Sequence, residues 1–371
     1  MKKNLHIAFL FFVLQANAQV DKLPAWAFGP FNRPEAVNPI ISPDTTSLFY
    51  CPMLKKEVAW EVNDTFNPAA AIKNSKIYVL YRAEDKRGKD IGMRTSRIGL
   101  AKSKDGLVMK RRSTPVLFPD EDTQKEFEWQ GGCEDPRVAV TEDGRYVMLY
   151  TMWNNKVPRI GVAISKNLKR WTKYGPAFAS AYNGKFKDIP TKSASIITKI
   201  AKGKQVIAKI NGKYWMYFGE HHVYAATSAD LINWEPLVDT DGEMRKLMSP
   251  RKGYFDSHLT ECGPPAIMTN KGILLLYNGK NLADQNADPN YTANSYCAGQ
   301  ALFDLNDPAK FINRLNTPFL IPTAPFEKSG QYPAGTVFIE GMAYFKNKWF
   351  LYYGCADSRV AVAIYDPQTA N

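Results

Sequence analysis

Glu134 and Asp135 stand side by side ahead of a proline in the stretch Gly131-Gly132-Cys133-Glu134-Asp135-Pro136-Arg137-Val138. Neighbouring carboxyl groups can serve as acid and base, because each disfavours ionisation of the other. Pro136 fixes its own φ and pushes Asp135 toward extended backbone, while Gly131 and Gly132 permit a sharp turn or close approach to a ligand. The expected result is a rigidly presented carboxylate at the entrance of a strand that begins with the apolar run 138–140. Taken alone, the stretch also fits a charged surface turn in which Asp135 pairs with Arg137. Its place in an internal repeat argues for chemistry instead.

The repeat is an aromatic-rich strand, a variable loop and a second alternating strand that ends in a polar turn. It occurs at 77–82 with 97–105, 146–150 with 159–168, 214–218 with 223–231, 273–277 with 297–304, and 349–353 with 359–365. The anchoring residues Tyr81, Tyr150, Tyr217, Tyr277 and Tyr352 recur about every 60 to 75 residues, a period that suits one four-stranded propeller blade with long loops. Sustained helical periodicity is nearly missing, so the fold class expected is all-β, a five-bladed β-propeller. The Pro- and Asn-rich segment 19–50 is expected to wrap the outside or help close the ring.

Each aromatic-rich strand follows another apolar one, at 66–72, 135–140, 195–200, 264–268 and 337–344. Antiparallel pairing brings the start of the first strand and the end of the second to one mouth of a central tunnel. That phase collects Asn67, Asp135 and Glu261 at first-strand entrances, with Arg82, Glu220, Asn278 and Asp357 just past second-strand ends. Several carboxylates, an arginine, an asparagine and nearby aromatics (Trp129, Trp153, Tyr224) suit a sugar. Two carboxylates flanking a glycosidic bond supply its hydrolysis, one protonating the leaving oxygen and the other activating water. Like-charge crowding is expected to hold one carboxyl protonated near neutrality. Asp135 is the acid in this assignment, Glu220 and Glu261 are base candidates, and Glu340 is a further candidate near the fifth entrance.

The 371 residues, 45% hydrophobic, can bury a large core. Residues 1–18 read as a signal peptide: Lys2 and Lys3, an apolar run at 7–14, then Ala16-Asn17-Ala18. The expected organisation is therefore a leader over 1–18 and a single catalytic domain over 19–371, with a periplasmic or secreted location and no membrane anchor. Five cysteines, widely spread, define no disulfide framework. The net charge of +12 comes from scattered lysines without a basic helix or RNA-binding signature, so no nucleic-acid partner is expected. No obligate protein partner is indicated. The histidines lack zinc-ligand spacing, so no metal or cofactor is expected, and His221-His222 reads as structural or substrate-facing.

Phe66-Asn67-Pro68-Ala69-Ala70, Tyr81-Arg82-Ala83, Glu134-Asp135-Pro136-Arg137, Cys262-Gly263-Pro264-Pro265 and Tyr353-Gly354-Cys355-Ala356-Asp357 together resemble glycoside hydrolase family 130, over essentially the whole mature chain. The resemblance implies a five-bladed propeller acting with inversion on β-mannoside oligosaccharides, mostly as a phosphorylase, with a subset of hydrolases specific for β-1,2-mannosides. It makes Asp135 the proton donor, acting through the substrate's own 3-hydroxyl. Asn67, Arg82 and Asp357 would hold the mannose on the non-reducing side of the bond, and Arg137 and Asn278 join them as substrate-binding candidates. Phosphorylases of the family resemble one another in a histidine-arginine pair where this chain has Glu220, in histidine where it has Asn278, and in a small residue where it has Glu261. Phosphate, a dianion, wants cations, and two carboxylates repel it. The chain thus resembles the hydrolase subset, with Glu220 and Glu261 as the water-activating base and its helper in either order. Arg159, at a position like that of a phosphate ligand, keeps phosphorolysis open. A catalytically silent glycan-binding propeller and an arabinan-cleaving five-bladed glycosidase are the other readings.

Overall fold

The protein is described here by a computed structural model covering residues 23–86 and 93–369. The leader assigned to 1–18 lies outside the described residues. The chain is nearly all-β: the described residues hold one four-residue α-helix, Lys125–Glu128, and two short 3-10 turns.

Strands form where the repeat places them, in five consecutive antiparallel units. Unit 1 comprises Asp64–Lys73, Lys76–Glu84 and Ser96–Ser103; unit 2, Gly132–Val140, Tyr146–Trp153 and Pro158–Ser165; unit 3, Ser195–Ala201, Lys213–Phe218 and Tyr224–Ser228. In unit 4 the leading strand is broken into Leu259–Cys262 and Ala266–Thr269, ahead of Gly272–Lys280 and Tyr296–Phe303; unit 5 is Val337–Phe345, Lys348–Cys355 and Arg359–Tyr365. Units 1 to 4 add a short outer strand, whereas in unit 5 the N-terminal segment supplies it: Asn32 bridges Ile364, and Ile41 bridges Val360. Hydrogen bonding does not keep the units apart. A parallel pair of Ser96 with Gly132 fuses units 1 and 2, and the parallel register of Ile197 with Ala266 fuses units 3 and 4.

The core is divided in the same way, into five apolar clusters that each lie between neighbouring units. Leu80 and Leu100 meet Met148 and Tyr150; Leu149 and Val162 meet Met216 and Phe218; Tyr217 meets Leu275 and Tyr277; Leu274 meets Leu351 and Tyr353. The fifth cluster joins the last unit to the first, packing Phe350, Tyr352 and Val362 against Val79 and Tyr81. Burial on both faces explains why the middle strands read as continuous apolar runs.

The anchoring tyrosines mark how each unit is tied down. All five are fully buried, and each hydroxyl donates: Tyr81 to Glu61 (2.7 Å), Tyr150 to Glu128 (2.6 Å), Tyr277 to Asp256 (2.8 Å), Tyr217 to the Pro308 carbonyl (2.9 Å) and Tyr352 to the Gly106 carbonyl (2.9 Å). Tyr81 and Tyr277 lie across from Gly99 and Gly299, where a Cβ would come within 2.3 and 2.4 Å of the ring. This close approach accounts for the glycine that recurs in the third strands. Tyr150→Phe is expected to leave the buried Glu128 Oε1 without its donor and to lower stability by about 1–3 kcal/mol, read as a shifted urea midpoint at unchanged m-value. All five cysteines are buried and free. No helix among the described residues is long and apolar enough to cross a membrane.

Candidate active site

The leading strands do not run straight into the mouth of the pocket. Register shifts between Phe66 and Pro68 in unit 1, between Glu134 and Arg137 in unit 2 and between Ile339 and Gly341 in unit 5 place a β-bulge at the same level of each strand. Asn67 and Asp135, each preceding a proline, adopt φ of 46° and 47°. Extended backbone was the expectation for Asp135, and the bulge overrides it. Its extra residue needs a left-handed turn, which Asp and Asn tolerate better than most, and a proline beside it forfeits no ladder hydrogen bond. Asp357, with φ of 50°, is turned inward from the hairpin after Cys355. Gly354 makes room for this arrangement, since a Cβ there would sit 2.4 Å from Asn67 Oδ1.

These devices open one polar cavity of about 250 Å³, which gathers Asn67, Arg82, Asp135, Glu220, Glu261 and Asp357 from sequence positions almost 300 residues apart. Glu134, Thr151, Lys192 and Gln331 add polar surface, and Phe66, Trp153, Tyr296 and Phe338 add aromatic walls. On one side Arg82 is the hub. Its Nη1 reaches Asp135 Oδ1 at 3.1 Å, and its Nη2 reaches Glu134 at 2.8 Å and Glu84 at 2.6 Å. Nε donates to Ser96 Oγ at 3.0 Å, and the guanidinium lies 4.7 Å from the Phe66 ring centroid. Asn67 Nδ2 donates to the same Asp135 oxygen at 2.9 Å. Asn67 Oδ1 and Thr151 Oγ1, on two residues that line the pocket, are buried without a protein hydrogen-bond partner.

The opposite side is held by backbone. Gly219 N donates to the Lys192 carbonyl at 3.0 Å, and Gly219 O accepts from Cys262 N at 3.1 Å. Three chain segments are thereby laced together so that Lys192, Glu220 and Glu261 share one corner. Lys192 Nζ is 3.0 Å from Glu220 and 4.0 Å from Glu261, while the Ser193 hydroxyl donates to Glu261. Glu261 is only 2% exposed, whereas Glu220 is 37% exposed.

Burial sets the ionisation of this pocket, and cations correct it locally. Burial pushes Glu261 up to about 7 against the pull of Lys192, with Glu220 adding repulsion. Burial likewise pushes Glu134 and Asp357 up to about 7, despite Arg82. Asp135 goes the other way. Burial opposes its ionisation, but Arg82, Lys192, Arg137 and the Asn67 amide outweigh it and hold the carboxyl below its usual range. Of the adjacent pair it is therefore Glu134 whose proton affinity rises and Asp135 whose affinity falls, because the cations are aimed at the aspartate.

Two substrate-binding assignments are corrected by the coordinates. Arg137 is 2% exposed beneath the cavity, where it donates to the carbonyls of Gly263, Asp135 and Cys262 at 3.2, 3.1 and 2.9 Å and lies 3.0 Å from Glu340. It fastens the floor and does not line the pocket. Asn278 is fully buried, with Nδ2 and Oδ1 spent on the Ile339 carbonyl and amide of the next unit. Glu340 faces Arg137 in that floor too, and burial drives its carboxyl well above the usual range. Trp153 lines the cavity, but Trp129 and Tyr224 do not. His222 contacts Ser249 Oγ at 3.0 Å, outside the pocket lining. Among the described residues no group of His, Cys, Asp and Glu could hold a metal ion. Lys192, Gln331, Tyr296 and Phe338 escaped the sequence reading. Lys192 carried one usable signal, since it lies three residues ahead of the third leading strand, and the leading strands of units 1 and 2 hold Asn67 and Asp135 near their starts.

An all-β scaffold of repeated units converging on one acidic, aromatic-walled pocket places the protein among glycoside-active enzymes. More narrowly, the chain belongs to glycoside hydrolase family 130, whose model, described as beta-1,4-mannooligosaccharide phosphorylase, matches residues 36–369. A 1,2-beta-oligomannan phosphorylase of Thermoanaerobacter sp. (strain X514) is 35% identical, covering 85% of this chain and 94% of that protein. Among solved structures, a glycosyl hydrolase from Bacteroides ovatus is 66% identical with a TM-score of 0.92, covering 94% of this chain and 96% of that one. Another, from work on family members that are glycoside hydrolases targeting beta-1,2 mannosidic linkages in Candida mannan, is 64% identical with a TM-score of 0.93, covering 94% and 97%.

Proposed function

We propose that the protein is an inverting β-1,2-mannosidase, hydrolysing the linkage between mannose units without phosphate. The observation that carries this reading is the corner holding Glu220 and Glu261. Where a phosphate would need converging cations, the pocket presents two carboxylates around one lysine. Arg159, the residue that kept phosphorolysis open, is committed elsewhere: it donates to the Lys187 and Val157 carbonyls at 3.0 and 3.1 Å and to Asp188 at 2.6 Å. The solved structure at 66% identity described as a glycosyl hydrolase, and the one at 64% identity from work on family members that hydrolyse beta-1,2 mannosidic linkages, support the same side.

In this mechanism a glutamate of the Glu220–Glu261 pair takes a proton from water as its oxygen attacks the anomeric carbon. The glycosidic bond breaks with inversion, and the leaving oxygen receives a proton relayed from Asp135 through the sugar's 3-hydroxyl. The products are mannose and the shortened mannoside. A sugar seated against Asp135 displaces water and raises its proton affinity, which counters the cations that hold it ionised in the free enzyme. Asn67, Arg82 and Asp357 would bind the hydroxyls of the mannose on the non-reducing side.

We also propose that the five units close as blades of a single propeller domain. The apolar cluster joining unit 5 to unit 1, and the N-terminal segment on the last strand, support that arrangement. The leader-like sequence at 1–18 supports export to the periplasm or medium.

Phosphorolysis is the second reading, favoured by the phosphorylase relatives and by the ammonium of Lys192 in the pocket. Product analysis separates the two. β-1,2-Mannobiose in phosphate-free buffer is expected to give only mannose, at a rate that added phosphate does not raise. Turnover confined to phosphate buffer, with mannose 1-phosphate as product, would replace the hydrolytic reading.

A further inference from the structure

We propose that Lys192 is a positioning residue that draws Glu220 and Glu261 to either side of one attacking water; the proposal rests on the hydrolytic reading above. Two carboxylates brought to one corner repel each other and, unrestrained, swing apart. Here the backbone bonds through Gly219 bring the segments together, and among the described residues Lys192 is the cation that bridges the side chains, at 3.0 Å to one and 4.0 Å to the other. The two glutamates are unequally restrained. Glu261 is buried and receives the Ser193 hydroxyl, so its position is set from below, whereas Glu220 is over one-third exposed and has Lys192 as its ion-pair partner. Losing the ammonium therefore releases Glu220 first. Misplacing a reacting group by about 1 Å can cost on the order of a hundredfold in rate.

The cation also governs when Glu261 is ionised. Glu261 faces Lys192, Glu220, Arg137 and the Ser193 hydroxyl, with Glu340 and the Tyr296 phenol nearby; Glu220 faces His258; and Lys192 also faces Asp135, Glu134 and Asp357. Lys192 is the positive charge aimed at the glutamate pair from the pocket side. It favours the anionic form of Glu261, so its removal raises the proton affinity of that carboxyl and moves the acid limb of activity to higher pH.

The test compares Lys192→Met and Lys192→Arg with wild type on β-1,2-mannobiose in phosphate-free buffer. Lys192→Met is expected to lower kcat about a hundredfold, change KM far less, and shift the acid limb of kcat/KM upward by about one pH unit or more. Lys192→Arg, which keeps the charge, is expected to restore the acid limb and part of kcat. In a Glu220→Gln background, Lys192→Met should add little further loss, because the side chain it positions is already disabled. Wild-type kcat in Lys192→Met, a loss of activity with an unmoved acid limb, or full additivity with Glu220→Gln would each overturn the proposal. A wild-type enzyme that turns over only with phosphate would sink the hydrolytic reading itself. If Lys192→Met then acted by raising KM for phosphate, the positioning role would fall with it.

Discussion

Asp135→Asn is expected to lower kcat on β-1,2-mannobiose by about a thousandfold while leaving the unfolding midpoint near wild type. The magnitude is that of losing a positioned acid, roughly a hundredfold to ten-thousandfold. The substitution isolates that loss because asparagine suits every other demand of the site. It accepts the left-handed φ of 47° that the bulge imposes. Its amide oxygen can still accept from Asn67 Nδ2, and Arg82 keeps Glu84 and Glu134 as charged partners. Steady-state kinetics beside thermal unfolding give the check. A variant within tenfold of wild-type kcat would remove Asp135 from the chemistry, and the adjacent Glu134, whose carboxyl burial lifts to about 7, would be the first replacement. Glu134→Gln in parallel distinguishes the two.

Repetition made most of this legible. Once the anchoring tyrosines set the phase, the strand ends followed, and six residues drawn from all five units could be placed at one mouth from the sequence: Asn67, Arg82, Asp135, Glu220, Glu261 and Asp357. The phase failed where it had to resolve depth as well as direction. Arg137 is two residues beyond Asp135 on the same strand, and the bulge that turns Asp135 into the pocket turns Arg137 into the floor. Asn278 lies directly opposite Glu261 in the ladder, yet its amide is consumed in binding the Ile339 backbone of unit 5. A sequence pattern carries no record of such inter-unit bonds. Lys192 and Gln331 lie in loops ahead of the leading strands and not in the strands that define the repeat. The direction of the Asp135 shift was also out of reach, because it depends on which of two adjacent carboxylates the guanidinium and the ammonium approach.

Arg82→Met should be the most destabilising substitution in the pocket, lowering the free energy of unfolding by about 3–5 kcal/mol. Arg82 neutralises Glu84, Glu134 and Asp135, all nearly inaccessible, within 3.1 Å of its guanidinium. Methionine fills much of the same volume and keeps contact with Phe66, so the loss reports charge and hydrogen bonding more than a cavity. The three carboxylates remain buried, with Arg94 left to reach Glu84 at 3.1 Å. The pH dependence identifies the cause. In the folded variant Glu134 and Asp135 hold their protons to higher pH than in wild type, because burial now acts without Arg82, its main opponent. The folded state then binds more protons than the unfolded one across weakly acidic to neutral pH, and its stability falls as pH rises through the raised values. The deficit relative to wild type should therefore be smaller near pH 5 than near pH 8, which urea unfolding at the two values measures. Arg82→Lys should recover part of the stability but not the fork that binds Asp135 through one nitrogen and Glu84 and Glu134 through another. A pH-independent deficit would mean that packing against Phe66, and not this charge, holds the corner together.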